Sequence, residues 1–481
     1  MYKLNNYHKY IGLLSICLGM ASCKVPAVIQ GNENKPVPGS YNTTNTTQDT
    51  TNTAALPWKT FFTDPNLVNL IDTALQNNQE LAITLQDIGI ARNDIRIRQG
   101  QLLPTVGVRA GAGVEKVGRY TSQGAGDAST EIVPGREVPD ALTDYTAAAY
   151  ANWEVDIWKK LRNAKKAAIT RYLSTVEGKN FVLTNLIADV ANAYYELVAY
   201  DNQLEIVKQN IALQKNALEI VKVQKQATRV TELAVQKFRA EVLKSQSLEF
   251  DILQKIKETE NDINLLLGRY PKEIIRDRSN ILALMPSAIN SGIPSQLLTN
   301  RPDIKRAELD LVAAKLDVKV ARAEFYPSFS ISAAVGLQSY QPSYFFTLPA
   351  SLLYSLAGEL SAPLINRNSI KAEFYSANAR QLQAIYNYQR TVLNAYLEVS
   401  TQLSNISNLG KSYDLKSKQV DALTKSIDIS NDLFKSSRAD YLEVLLTQRD
   451  ALESKLELID TKKEQLNATV NVYKYLGGGW K

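Results

Sequence analysis

Between residues 301 and 337 the hydrophobic period of the chain changes with almost no loop to absorb the change. Up to Phe325 the apolar residues recur at three and four: Ile304, Leu309, Val312, Leu316 and Val320. After Pro327 they recur at two, with Phe329, Ile331, Ala333, Val335 and Leu337 alternating with Ser328, Ser330, Ser332, Ala334 and Gly336. The first spacing belongs to a helix and the second to a strand, and proline closes the helix. The same junction occurs earlier. Aligning Pro104 with Pro327 puts Asn77 on Asn300, Ala91 on Ala314 and Ile95 on Val318. Beyond Pro104, Val106, Val108, Ala110, Ala112 and Val114 alternate with Thr105, Gly107, Arg109, Gly111 and Gly113. "VANAYYELV" (190–198) echoes "VLNAYLEVS" (392–400), and "LLLG" (265–268) echoes "KYLG" (474–477). One duplicated unit accounts for the pattern, with repeats expected over 58–280 and 281–481.

Each repeat carries a second alternating segment. Tyr145, Ala147, Ala149, Ala151, Trp153 and Val155 share one face in the first; Leu352, Tyr354, Leu356 and Leu360 share one in the second. Strands are therefore expected at about 104–116 and 143–157, and at about 327–340 and 350–364. Such strands match the length that spans an outer membrane when tilted. Val106, Val108, Phe329, Ile331, Val335, Leu352 and Leu356 are expected to face lipid, with Arg109, Ser328, Ser330 and Glu359 on the opposite face. The connections, roughly 116–142 and 340–349, read as polar loops rich in Gly or Pro. Tyr340, Tyr344, Phe345 and Phe346 in the second suit an interfacial aromatic girdle.

The remainder is helical. Leu382, Ile385, Gln389, Val392, Tyr396, Val399, Leu403 and Ile406 keep the three-four spacing of a coiled-coil seam, as do Leu442, Leu445, Arg449, Leu452, Leu456 and Ile459. The pattern falters at 227–232 and 436–441, so helical hairpins are expected at about 159–270 and 366–476. Arms of about 65 residues would reach roughly 100 Å. Asn300, Pro302 and Asp303 read as a helix start, and acid pairs such as Glu258 and Glu260 as solvated helix faces.

The first 22 residues read as a lipoprotein signal: a basic start, the apolar run "YIGLLSICLGMA", then "MASC" ending at Cys23. Cys23 is the expected site of N-acyl and S-diacylglycerol modification, and the tract over 23–57 reads as a lipidated N-terminus with an Asn/Thr-rich flexible linker. With the signal removed, no histidine and one cysteine remain, and Met285 is the last methionine. That excludes internal disulfides, histidine metal sites and Cys-His catalysis, leaving carboxylate-only catalysis open; no cofactor is expected, and the chain is not expected to be an enzyme. The formal charge of +6 is small for a chain of this length, which argues against nucleic acid as a partner.

Four membrane strands cannot close a barrel, since about eight is the practical minimum. Open edges in lipid would leave backbone groups unpaired. The chain must oligomerise, and a dimer of eight strands or a trimer of twelve both satisfy closure. The segments "RPDI…AEL…AA…ARAEFYPSFS", "NAYLEV", "ADYLEVL" and "LGGGW" resemble the TolC-like outer-membrane factors, in particular the lipoproteins that serve resistance-nodulation-division pumps. The resemblance covers about 60–481. It implies an α+β membrane protein: a homotrimer with a twelve-stranded outer-membrane β-barrel, continuous with a long periplasmic α-helical coiled-coil barrel. It also implies a passive duct for small molecules, working with a periplasmic adaptor and an inner-membrane pump, lipid-anchored in the outer membrane. A conduit for type I protein secretion is the alternative, and a structural tether or a carboxylate-dependent lipoprotein enzyme lies further off.

The resemblance places the periplasmic gate in "SSRADYLEVLLTQR", with Arg438, Asp440, Tyr441 and Glu443 as its residues. Glu443 falls on a constriction acid of the family, whereas Leu446 stands where a second would be. Repeated by three-fold symmetry, Asp440 and Glu443 would make a carboxylate ring favouring cations. The first hairpin tip, with Arg229, Thr231 and Glu232, is expected to pack around the gate and meet the adaptor.

Overall fold

The computed structural model describes residues 26–29, 31, 36–41, 51–278, 281–284, 289–363, 367–436 and 438–480. Cys23 therefore lies outside the described residues. The main elements are α1 (Pro65–Asn77), α2 (Gln79–Gly100), β1 (Thr105–Glu115), α3 (Ser122–Asp127), β2 (Glu131–Val133), β3 (Arg136–Glu137) and β4 (Leu142–Val155). They continue with α4 (Lys160–Gln226), α5 (Glu232–Leu266), α6 (Pro302–Ala323), β5 (Ser328–Ser339), β6 (Leu352–Ser361), α7 (Asn368–Lys435) and α8 (Tyr441–Tyr475).

Two compact units result, and they cut across the two sequence halves. One holds residues 1–31, 90–172 and 309–385; the other holds 32–89, 173–308 and 386–481. The cause is the sheet. Its order is β1-β4-β5-β6, so strands from both halves pair into one surface through β4 and β5. Every pair is antiparallel.

Register gives this sheet two chemically distinct faces, because residues directly opposite on neighbouring strands point the same way. Val108 pairs with Ala149, Ala149 with Val335, and Val335 with Tyr354. One face thus carries Val106, Val108, Trp153, Phe329, Ile331, Val335, Leu352, Leu356 and Leu360. The other carries Arg109, Glu154, Ser328, Ser330 and Glu359. Val108 and Leu356 are 86% and 79% exposed, so much of the apolar face is open among the described residues.

The connection after β1, read as loop, contains α3 and the small β2–β3 hairpin. Thr121 caps α3 by accepting the Gly124 N–H at 3.1 Å. These are short, locally closed structures whose bonds leave no trace in hydrophobic periodicity. The N-terminal tract also differs from a flexible linker at its described residues. Val28 packs against the cluster of Val318, Phe325 and Phe374, and the Ile29 N–H donates to the Asn378 side chain at 3.2 Å. Tyr41 stacks on Tyr396 with centroids 5.6 Å apart. The Thr53 N–H reaches the Asn290 carbonyl at 3.0 Å. Isolated apolar residues in a polar tract suffice to dock it when a groove exists elsewhere in the chain.

The hairpin arms are unequal, which corrects the expectation of paired arms of about 65 residues. α4 and α7 run 67 and 68 residues, but α5 and α8 stop at 35 each. Both short arms end at a glycine. Gly268 has φ +66°, its N–H bonds the Leu265 carbonyl at 3.0 Å, and the Arg269 N–H bonds the Asn264 carbonyl at 3.0 Å. Gly477 has φ +88° and repeats both bonds at 2.9 Å, to Lys474 and, through Gly478, to Tyr473. This is a Schellman cap. A Cβ at Gly268 would lie 2.3 Å from the Asn77 carbonyl oxygen, and one at Gly477 would lie 2.6 Å from that of Asn300. Each glycine seats the end of one helix against the start of α2 or α6. Asn78 completes the first joint: its amide donates to the Leu266 carbonyl at 2.9 Å and its oxygen accepts the Leu81 N–H at 3.0 Å.

Buried ion pairs lock the same region. Arg301 bonds Asp303 at 2.6 Å, Glu398 at 2.7 Å and the Tyr475 carbonyl at 3.0 Å, while Asp303 accepts the Ile304 N–H at 3.0 Å. The sequence segments "RPDI", "NAYLEV" and "KYLG" thus converge on one guanidinium. Arg276 likewise bonds Asp201 at 2.5 Å and Glu260 at 2.7 Å. Glu260 is therefore buried and paired rather than solvated, whereas Glu258 accepts from Gln254 on the helix surface. The helical pattern conceals this because the partner lies on the irregular segment beyond Gly268.

Gly268→Ala or Gly477→Ala should destabilise the fold by more than about 1–2 kcal/mol, the left-handed backbone penalty for a non-glycine residue, because the carbonyl clash adds to it. Gly135 (φ +77°), where a Cβ meets nothing within 4 Å, supplies the control. Thermal unfolding in detergent should rank both joint variants well below Gly135→Ala, and equal midpoints would refute the joint.

Candidate functional site

The hairpin tips are two breaks in helix held by one apolar cluster. α4 ends in a Schellman cap in which Thr228 sits at φ +56°, the Thr228 N–H bonds Lys225 and the Arg229 N–H bonds Gln224, both at 2.9 Å. A β-branched residue there is strained, and surrounding structure must hold it. At the second tip the Arg438 N–H bonds the Leu433 carbonyl at 2.8 Å. Val221, Val235, Phe238, Phe434, Val444 and Leu445 form a buried cluster drawn from α4, α5, α7 and α8. Val230 of the first tip and Tyr441 of the second pack against it. The structure thus brings the two tips together.

Polar groups at the tips differ in their partners. Thr231 and Asp440 are the N-cap residues of α5 and α8, and neither side chain makes the capping bond. Glu232 is bound by Lys225 and accepts from Gln236 at 2.6 Å. The Lys225 hydrogen bond, with that of Gln236, holds its carboxyl below the usual range. At the second tip Glu443 lies in the first turn of α8, with its N–H on the Asp440 carbonyl at 3.1 Å. Arg438, Asp440 and Glu443 are exposed, and no ion pair joins them among the described residues. Both carboxylates lie at a helix N-terminus, whose dipole favours negative charge. Leu446 is half-buried and leaves an apolar surface one turn further on.

The sheet supplies the second functional surface. On its polar face Gln338 donates to Asp144 at 2.9 Å, and the Tyr150 ring lies across Gly107, where a Cβ would meet its hydroxyl at 2.6 Å. A concavity lined by Arg109, Asp144, Tyr150 and Asn152 follows that face. Aromatic residues mark both ends of the strands. Tyr340, Tyr344, Phe345 and Phe346 cluster in the β5–β6 connection, with Phe346 80% exposed. At the opposite end Trp153 donates to the Leu102 carbonyl at 3.0 Å. Trp158 donates to that of Pro327 at 2.8 Å and stacks on Tyr326. Sequence reading placed Trp153 on the apolar face but missed the second girdle; "WEVDIW" beside "EFYP" was its signal.

Among the described residues no helix is long and apolar enough to cross a membrane, and no group of three or more His, Cys, Asp or Glu could hold a metal. A sheet with one apolar face and aromatic rims, in a chain that also forms long helical hairpins, defines the subunit of an outer-membrane channel. The chain belongs to the outer membrane efflux protein family, whose model matches residues 70–269 and 293–478. It is similar to the solvent efflux pump outer membrane protein SrpC of Pseudomonas putida, with 28% identity over 423 residues, 88% of this chain and 87% of that one. It is also similar to the probable outer membrane lipoprotein SilC of Salmonella typhimurium, with 26% identity over 430 residues and 88% of each chain. In fold it matches the open-state MtrE outer membrane channel of Neisseria gonorrhoeae, with a TM-score of 0.80 and 22% identity over 95% of this chain and 98% of that one. The protein is thus a passive efflux channel of the outer membrane with the TolC-like fold, and not an enzyme.

Neighbouring positions on β5 separate its two faces. Val335→Lys puts a charge into lipid and should cost about 2–4 kcal/mol at the midplane, whereas Ala334→Lys, on the polar face, should be tolerated. Quantifying assembled protein in outer-membrane fractions tests this, and equal yields of the two variants would reject the facing.

Proposed function

We propose that three copies of this chain close a twelve-stranded barrel and form the exit duct of a tripartite efflux system. One observation carries the reading: β1 and β6 are both open edges of an apolar-faced sheet. An unpaired edge in hydrocarbon costs several kcal/mol per group, so the edges must meet in another copy. The order β1-β4-β5-β6 leaves β1 and β6 antiparallel to one another, so β6 of one copy continues the ladder into β1 of the next. Eight strands would enclose little beyond their own side chains, while twelve leave a channel. The edge helices support the same assembly. On α2, Ile83, Ile90 and Ile97 are at least 60% exposed at seven-residue spacing. On α7, Tyr386, Leu393 and Leu397 are at least 50% exposed. Such stripes suit coiled-coil contacts between copies.

Within this reading the second tip is the gate. Asp440 and Glu443, exposed and without ion-pair partners among the described residues, would form six carboxylates around the three-fold axis and favour cations. The first tip, with Arg229, Thr231 and Glu232, would offer the periplasmic adaptor a surface, and a resistance-nodulation-division pump would drive the cargo. Cys23 would carry the lipid, in keeping with the lipoprotein SilC among the relatives. Residues 58–280 and 281–481 would be its two repeats, and small molecules such as drugs or toxic compounds its cargo.

In planar bilayers, Asp440→Ala with Glu443→Ala should raise single-channel conductance and lower cation selectivity while the trimer persists. Unchanged conductance and selectivity would move the gate elsewhere. Separately, Cys23→Ala should abolish incorporation of radiolabelled palmitate without preventing trimer assembly. Palmitate labelling that survives in this variant would show that the anchor is another residue.

A further inference from the structure

Six basic residues and no acidic one lie between Ile157 and Arg171: Lys159, Lys160, Arg162, Lys165, Lys166 and Arg171. Three are neutralised locally. Lys160 bonds Glu154 at 2.6 Å, Arg162 bonds Asp156 at 3.0 Å, and Arg171 bonds Asp317. Asp156 is also occupied by the Leu161 and Arg162 N–H groups at 3.0 and 2.9 Å, so it has little capacity left for another cation. Lys159, Lys165 and Lys166 make no ion pair among the described residues, and Lys159 and Lys166 are exposed.

Their place in the fold gives this excess charge a partner. Val155 ends β4 on the apolar face, and Ile157 and Trp158, 51% and 47% exposed, follow it immediately. Trp158, stacked at 4.7 Å on Tyr326 and tied to the Pro327 carbonyl, marks the level where hydrocarbon gives way to headgroups. From there α4 rises about 1.5 Å per residue, so Lys159 to Lys166 occupy the first ~10 Å beyond the apolar strands. The headgroup layer of one leaflet is about 5–8 Å thick. Long lysine side chains reach back toward it.

We propose that Lys159, Lys165 and Lys166 form a binding surface for anionic phospholipid headgroups of the periplasmic-facing leaflet, with Trp158 and Ile157 in contact with the upper acyl chain. The proposal rests on the channel reading, since it needs the strand ends to lie at a membrane boundary. Three ammonium groups over an apolar and aromatic step match a phosphodiester above acyl chains; a free anion would find no use for the apolar part. The surface would seat the barrel at a fixed depth.

The test uses the full-length channel in phosphatidylcholine vesicles containing a minor fraction of brominated phosphatidylglycerol or, in parallel, brominated phosphatidylcholine. Bromine quenches nearby tryptophan, and Trp153 and Trp158 report from this level. The wild-type protein should prefer phosphatidylglycerol about fivefold. Lys159→Gln/Lys165→Gln/Lys166→Gln should bring the ratio to about one, as should about 0.5 M salt. Conductance and trimer content of the triple variant should stay unchanged. Equal quenching by both lipids in the wild type, or a preference that persists in the triple variant, overturns the proposal. Loss of the preference on adding inorganic phosphate at constant ionic strength also overturns it, assigning the site to free anions. Failure of the wild type to float with vesicles would instead remove the channel reading itself, and the proposal with it.

Discussion

The structure depends on the absence of water from hydrocarbon. A backbone N–H or C=O at an open strand edge has no partner there, and the penalty recurs along the whole of β1 and β6. No side-chain choice within the chain can remove it. The only remedy is another copy, so assembly is a condition of residing in the membrane rather than a later embellishment. Much else follows from that need. The edges must present compatible directions, which the even number of antiparallel strands provides. Helices entering and leaving the sheet must keep the spacing of the strands they continue. The proline at each helix-to-strand junction achieves this by ending one period at a defined residue.

The joints at Gly268 and Gly477 solve a related problem. The long arms α4 and α7 are each continuous, yet the opposing arms must be assembled from separate pieces, because the chain enters the sheet from one helix and returns from another. Two helix ends therefore meet at a point where a side chain would strike a carbonyl. Glycine in the left-handed conformation closes the Schellman cap and admits the close approach in one residue. The buried guanidinium of Arg301 adds direction: with Asp303, Glu398 and the Tyr475 carbonyl as partners, it specifies which helix end docks where. Removing one partner from such a pair would leave a buried charge uncompensated, which is strongly destabilising.

What could be read in the sequence was whatever repeats along the chain. Period two placed each strand and its apolar face, and the structure begins β5 at Ser328, directly after the proline that marked the change. Period three-four placed the arms, and the two lapses in it located both tips. What could not be read was whatever depends on a distant partner. Glu260 looks like any helix-surface acid until Arg276 arrives from beyond Gly268. Tyr41 sits in a polar tract and is buried only because Tyr396 offers a face. The glycine of "LLLG" was visible as an echo, but its reason lies in the Asn77 carbonyl, nearly two hundred residues earlier. At the second hairpin tip the charges were legible, while the free or bound state of each required coordinates.

That last difference bears on how duplicated tips can diverge. Both tips began from one plan: a cap, a short turn and a helix whose N-cap position is Thr231 in one and Asp440 in the other. Their backbones still match, with the Arg229 and Arg438 N–H groups each bonded to the carbonyl five residues back. The carboxylates do not. Glu232 is held by Lys225 and Gln236 within its own hairpin, which stiffens the turn. Among the described residues Asp440 and Glu443 have no such ion-pair partner, so their field is available to whatever approaches the tip. The shared cluster around Phe238 and Phe434 couples the two, because movement of one tip must repack the other.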